Sequence, residues 1–307
     1  MVDISNHTIL LSLPKFAEIG VLTQVPYEVF ANFTETPIGD LCRFHVTSPG
    51  REVRYRYTRW PMDAAETIRD AVSQVATLRQ DAARSPELHA ALLSVKSLQA
   101  QRFAGTYTDL LASTEFGEAA RFFLEDLYSD KDYSLRDAQF ARIAGALQRL
   151  FPKQVVATAV TLAQLHVLTE MLDCQMALAW KDTDSDEDSA EKYVACWHAV
   201  GRHSDRKRQL EMVLKVGGEL DRLTRTPGLR IMLRMMRRPA TAAGLGSLQT
   251  FLESGFDIFA HMSGKGTRAG EFLLTIQERE SVWIERLSSS SLTSCDSDLR
   301  NCLNQAQ

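Results

Sequence analysis

The stretch from Val155 to Trp180 constrains this chain more than any other. It is apolar almost throughout and long enough to cross a bilayer as a helix. His166, Glu170 and Asp173 interrupt it, and ionisable groups at those positions would be costly in lipid. The segment therefore reads as a buried helix of a soluble protein. The three polar residues are spaced i, i+4 and i+7, so they form one stripe along it.

Helical periodicity continues on both sides. Ile68, Val72, Val75 and Leu78 repeat at helical spacing after Asp63, which sits as an N-cap. Ser85-Pro86-Glu87 places a cap before a proline at the first helical position, and a long helix then runs toward Leu111. Further helices are expected from Phe116 to Leu127, from Ser134 to a break at Pro152, and from about Ser189 to Leu223. A short one opens at Pro227 and ends at Pro239. Two more carry Leu248 to Phe259 and Phe272 to Leu287. The fold class is thus all-α, a multi-helix bundle of roughly eight helices over residues 62–287.

The ends differ from this body. Residues 1–61 hold Pro14, Pro26, Pro37, Pro49 and Pro61 and sustain no helical period. Arg51 to Trp60 alternates loosely and suits a short strand, so this extension is expected to be poorly ordered or weakly β. Two readings stand for it: an upstream extension of the reading frame, with Met62 as the true start, or a genuine arm. Residues 288–307 are serine-rich and read as a disordered tail.

The run Phe122-Phe123-Leu124-Glu125-Asp126-Leu127-Tyr128 resembles the signature of the bacterial FFLEELY-motif proteins, with Asp126 in place of glutamate. The likeness extends from about Met62 to Leu287. It includes Arg136-Asp137, Arg237-Arg238-Pro239-Ala240 with Gly244-Leu245, Phe251-Leu252-Glu253 with Gly255-Phe256, and Arg279-Glu280. The resemblance implies a helical bacterial protein and carries over no catalytic residue.

Polar candidates for a site are Glu125, Asp126, His166, Glu170 and Asp173. A buried carboxylate needs a cationic partner or a shifted pKa, and Arg121, Arg136 or Arg142 could serve Glu125 or Asp126. No metal site is assigned, because a di-iron bundle needs Glu-x-x-His twice and the sequence holds neither copy. His198 and Arg202, four apart, form an anion-binding candidate. The cofactor is unknown. Asp182 to Asp188 alternates acids but lacks the glycine and terminal glutamate of a calcium loop, so it reads as a linker. Gly264-Lys265-Gly266-Thr267 lacks phosphate-loop spacing. Five cysteines, widely spaced and without a CxxC pair, suit a reducing cytoplasm.

Between residues 202 and 238, eleven basic side chains stand against four acidic ones, in a chain of net charge -4. Arg230, Arg234 and Arg237 share a face opposite Ile231, Met232 and Met235, which makes a basic amphipathic helix. The overall charge weighs against nucleic acid and leaves a protein partner or a homo-oligomer. The leading expectation is a non-enzymatic interaction or regulatory protein using the surface at 225–238. The alternative is a helical enzyme or small-ligand carrier with a polar site between helices, around His166, Glu170 and Glu125.

Overall fold

The computed structural model describes the backbone of residues 29–30, 41–48, 51–58, 63–127, 131, 133–183, 188–263, 266–289 and 292–306. The chain divides into one unit over Met1–Asp63 and a second over Ala64–Gln307. In the first, strands Val29–Phe30, Leu41–Ser48 and Arg51–Thr58 pair antiparallel in sequence order. Leu41 faces Thr58 and Ser48 faces Arg51 across the longer pair. The strand expected from Arg51 is therefore present.

The second unit is all-α, and its described residues contain no strand. Helices α1 (Ala64–Ala83) and α2 (Pro86–Thr106) are separated by Ser85, whose hydroxyl accepts from Leu88 N at 3.2 Å. That bond satisfies one of the unpaired amides of the first turn, and Pro86 has none to lose. Two short helices follow, α3 (Thr108–Ala112) and α4 (Gly117–Phe122). Residues Phe123–Leu127 continue α4 as a π-helical turn. The continuous helix expected from Phe116 to Leu127 is thus interrupted after Phe122.

Next come α5 (Ser134–Leu150) and α6 (Lys153–Asp182), with Pro152 between them. The helix expected from Ser189 to Leu223 is two: α7 (Ser189–Val200) and α8 (His203–Thr224). Gly201 and Arg202 both have positive φ, 65° and 54°, which ends one helix and starts another. Then α9 (Leu229–Met235) and α10 (Arg237–Ala242) follow in quick succession. Pro239 does not end α9; it lies in the first turn of α10, where a missing amide is harmless. Last are α11 (Gly246–Ser263), α12 (Arg268–Ser289) and α13 (Leu292–Gln305).

The bundle therefore has more helical segments than the roughly eight expected, because short turns and the Gly201–Arg202 break divide long periodic runs. The expected disordered tail is a further correction. Helix α13 buries Cys295, Leu299 and Cys302 against Val95 and Leu98 of α2, Tyr193 and Trp197 of α7, and Trp283 and Leu287 of α12. Serines hid this stripe of small and sulfur-bearing core residues. Gly105 of α2 allows the approach: a Cβ there would stand 1.9 Å from the Cys302 carbonyl oxygen.

Helix α6 is the hub, packing against α1, α2, α7 and α8. It is long and apolar enough to cross a membrane by composition. Yet Leu172, Met176 and Ala177 are fully enclosed by protein, and His166 and Glu170 pair with side chains of neighbouring helices. A second core gathers Phe103, Tyr107, Phe122, Phe123, Phe259 and Phe272. Phe123 meets Phe272 edge to face with ring centroids 5.4 Å apart, a geometry worth about 0.5–1.5 kcal/mol beyond burial.

Candidate functional site

The stripe on α6 becomes an ionic seam between helices. Glu170 is 2% exposed and accepts from Lys96 Nζ of α2 at 2.8 Å and from Arg79 Nη2 of α1 at 3.3 Å. Burial pushes its carboxyl up, but Lys96 and Arg79 outweigh burial and hold it below the usual carboxylate range. Asp137 of α5 stands 2.9 Å from Arg79 Nη1 and 2.9 Å from His166 Nε2. Burial opposes the Asp137 charge too, and His166, Arg79 and Arg136 overcome it to lower its pKa. His166 and Glu170 thus meet through Asp137 and Arg79, two residues that α6 periodicity does not reveal.

Asp173, one turn further along, is also enclosed, 4% exposed. Burial pushes its carboxyl above the ordinary range, against the pull of Lys96 and Arg206. Beyond it lies a third group. Arg102 of α2 meets Glu280 of α12 through two bonds, 3.1 and 2.8 Å, and Tyr107 donates its hydroxyl to Glu280 at 3.0 Å. The polar line from His166 to Glu280 therefore runs through the interior. Its members on α2, namely Lys96, Gln99 and Arg102, are spaced three apart and share one face.

The signature residues do not join this line. Glu125 is exposed, and its backbone carbonyl, rather than its carboxylate, accepts from Tyr133 Oη at 2.6 Å. Arg121 donates to the Leu111 carbonyl at 3.2 Å rather than to Glu125. Arg136 lies over the Tyr133 and Phe251 rings, and Arg142 donates to the carbonyls of Ala243 and Gly244. The side chain of Asp126 and residue Tyr128 lie outside the described residues, as do Gly264 and Lys265. His198 and Arg202 do not converge, because Arg202 falls in the turn between α7 and α8 and pairs with Asp205 at 2.9 Å. Asp188 ends its acidic link as an N-cap, accepting from Ala190 N at 3.1 Å and from Arg300 Nε at 2.7 Å.

The arginines expected on a basic face are exposed, and they are also paired with α11. Arg230 and Arg234 both turn to Asp257 of α11, at 2.8 and 3.4 Å, and Arg237 pairs with Glu253. Arg237 also holds the Glu253 carboxyl below its usual range. The apolar side is exposed as well: Ile231 is 66% and Met235 73% exposed, and α9 buries no residue. Sequence periodicity identified the two faces but could not show that α11 presents carboxylates to the arginine side. An open groove of about 1070 Å³ lies beside these pairs, lined by Glu118, Arg230, Arg237, Gln249, Glu253 and Asp257 among others.

Two of the thiols are poor nucleophiles. Burial pushes the Cys174 thiol up to about 12 and the Cys295 thiol to about 11, so neither is a thiolate at neutral pH.

These features define a many-helix α domain tied together by interior ion pairs, with an unburied apolar helix face beside a charged groove. The chain belongs to the family described as "Domain of unknown function (DUF8198)", which matches residues 78–293. That span starts inside α1 and leaves out nearly all of α13. No curated protein and no solved structure matches the chain.

Proposed function

We propose that this is a cytoplasmic, non-enzymatic interaction protein that docks an acidic amphipathic segment of a partner protein on the α9 surface. The observation that carries the proposal is the outward side of α9, where Ile231 and Met235 stand in water on a helix with no buried residue. Exposed apolar side chains framed by charge mark contact surfaces, and methionine adapts to varied partners.

Charge selects the occupant. The five arginines of residues 225–238 meet three carboxylates, Asp221, Glu253 and Asp257. Two positive charges are left over in this segment, and Arg238 forms no ion pair among the described residues. An acidic segment with an apolar stripe complements both features. The resemblance of residues 122–128 to FFLEELY-motif proteins supports a bacterial setting.

A second reading, a carrier or enzyme with a polar interhelical site, draws support from the enclosed Asp173. Of its proposed members, His166 and Glu170 meet through Asp137 and Arg79, while Glu125 is exposed.

The test is cross-linking of complexes captured by the wild type and by Ile231→Asp/Met235→Asp. Replacing the three arginines is a poorer test, because it strips Glu253 and Asp257 of their partners. The proposal expects an acidic amphipathic segment cross-linked to residues 229–238, absent from the variant and weakened by salt. RNA, a basic segment, or capture unchanged in the variant would overturn it.

A further inference from the structure

Four interior carboxylates are less than a tenth exposed: Asp137, Glu170, Asp173 and Glu280. Three have direct cationic partners. Arg102 serves Glu280, Lys96 and Arg79 serve Glu170, and Arg79 with His166 serves Asp137. Asp173 has none, and its Oδ1 is enclosed without a hydrogen-bond partner.

One interior arginine shows the reverse defect. Arg206 of α8 is 6% exposed, and its Nη2 is likewise enclosed without an acceptor. Its guanidinium lies 4.5 Å from the Trp197 ring, and Nη1 reaches Gln209 Oε1 only at 3.5 Å. No carboxylate pairs with it directly among the described residues. Lys192, the third enclosed cation beside Arg102 and Arg206, donates to the Thr183 carbonyl at 3.0 Å and lies over Trp180. The charges left over from the pairing are therefore Asp173 and Arg206. Helices α6 and α8 run antiparallel, with Gln154 bonded to Glu219 and Gln209 donating to Thr169 at 2.8 Å, so Asp173, one turn after Thr169, and Arg206, three residues before Gln209, lie at one level of that contact.

We infer that one buried water molecule joins Asp173 Oδ1 to Arg206 Nη2 and completes an ion pair between α6 and α8. Enclosed polar atoms are satisfied in folded proteins, and a gap between two of them is an ordinary place for water. The chemistry of the two ends selects the ligand. Oδ1 needs a donor and Nη2 needs an acceptor, and water supplies both at once. A bound cation would satisfy Asp173 and repel Arg206; a bound anion would do the opposite. The surrounding side chains are polar as well. Lys96 and Gln99 of α2 and Tyr193 of α7 act on the same carboxylate or on its neighbours.

The first test is a crystal structure at a resolution that shows ordered water. Density within hydrogen-bonding distance of both Asp173 and Arg206 is expected; direct contact between the side chains, or no density there, overturns the inference. The second is a cycle of Asp173→Asn, Arg206→Met and the pair. Each single change should shift the folding equilibrium toward the unfolded state about tenfold or more, because it strands a buried charge. The pair should lose clearly less than the product of the two. Losses that simply multiply overturn the inference, and if a single variant fails to fold the crystal structure decides alone.

Discussion

Lys96 Nζ lies 2.8 Å from Glu170 Oε1, and this bond fastens α2 to the central helix α6. The two partners are not equivalent. Glu170 has two cations, Lys96 and Arg79, whereas Lys96 has one carboxylate in this contact. Glu170→Gln strands Lys96 and leaves Arg79 with Asp137 alone, and should cost about 3–5 kcal/mol of stability. Lys96→Met leaves Glu170 with Arg79 and should cost less. Urea unfolding of the two variants checks the order, which a purely steric role for Glu170 would not produce.

The same seam sets the acid limit of the fold. Glu170 and Asp137 have lowered pKa values, so each contributes stability that is present above its unfolded value. That contribution is lost as pH falls through the lowered folded value. Asp173 is raised and has the opposite sign: what it contributes is present at low pH and lost as pH rises through its folded value. Net loss on acidification is expected, since two groups outweigh one. Unfolding free energy measured from pH 7 to pH 3 should fall less steeply in Asp137→Asn/Glu170→Gln than in the wild type.

Helix α13 should be needed for stability although it lies almost wholly beyond the family span. Gly105→Ala drives a methyl group into the Cys302 carbonyl and should destabilise by about 1–3 kcal/mol, as overpacking does. Removing residues 292–307 uncovers Trp283, Leu287 and Val95 and should lower the melting temperature further. A truncated protein with an unchanged melting temperature would show that the Cys295–Leu299–Cys302 contact contributes little.

The helical class was legible because α6, α8 and α12 each carry long periodic runs, and period is the strongest signal a sequence holds. The stripe of His166, Glu170 and Asp173 was legible for the same reason. What stayed hidden is non-local. Nothing in the spacing of α6 shows that Arg79, Lys96 and Asp137 arrive from three other helices to meet it. The π turn after Phe122 and the positive φ at Arg202 are tertiary effects that helical propensity does not encode. The outward turn of Ile231 depends on Asp257 and Glu253, which lie on another helix. The packed helix near the C-terminus is hidden in composition because Cys295 and Cys302 stand among polar neighbours, whereas buried thiols behave as small apolar groups.

Ile231→Asp/Met235→Asp should leave stability within about 0.5 kcal/mol of the wild type, since both side chains already face water. Thermal unfolding checks this, and a large loss would show that the face is covered within the folded chain.

The docking surface is tested most directly by methionine oxidation footprinting, with and without the captured acidic segment as a synthetic peptide. Met235 is 73% exposed and Met176 fully enclosed, so one reports on the face and the other on the fold. The expected result is slower oxidation of Met235 in the complex, with Met176 protected in both states. Met235 oxidising as fast in the complex as alone would contradict docking on α9.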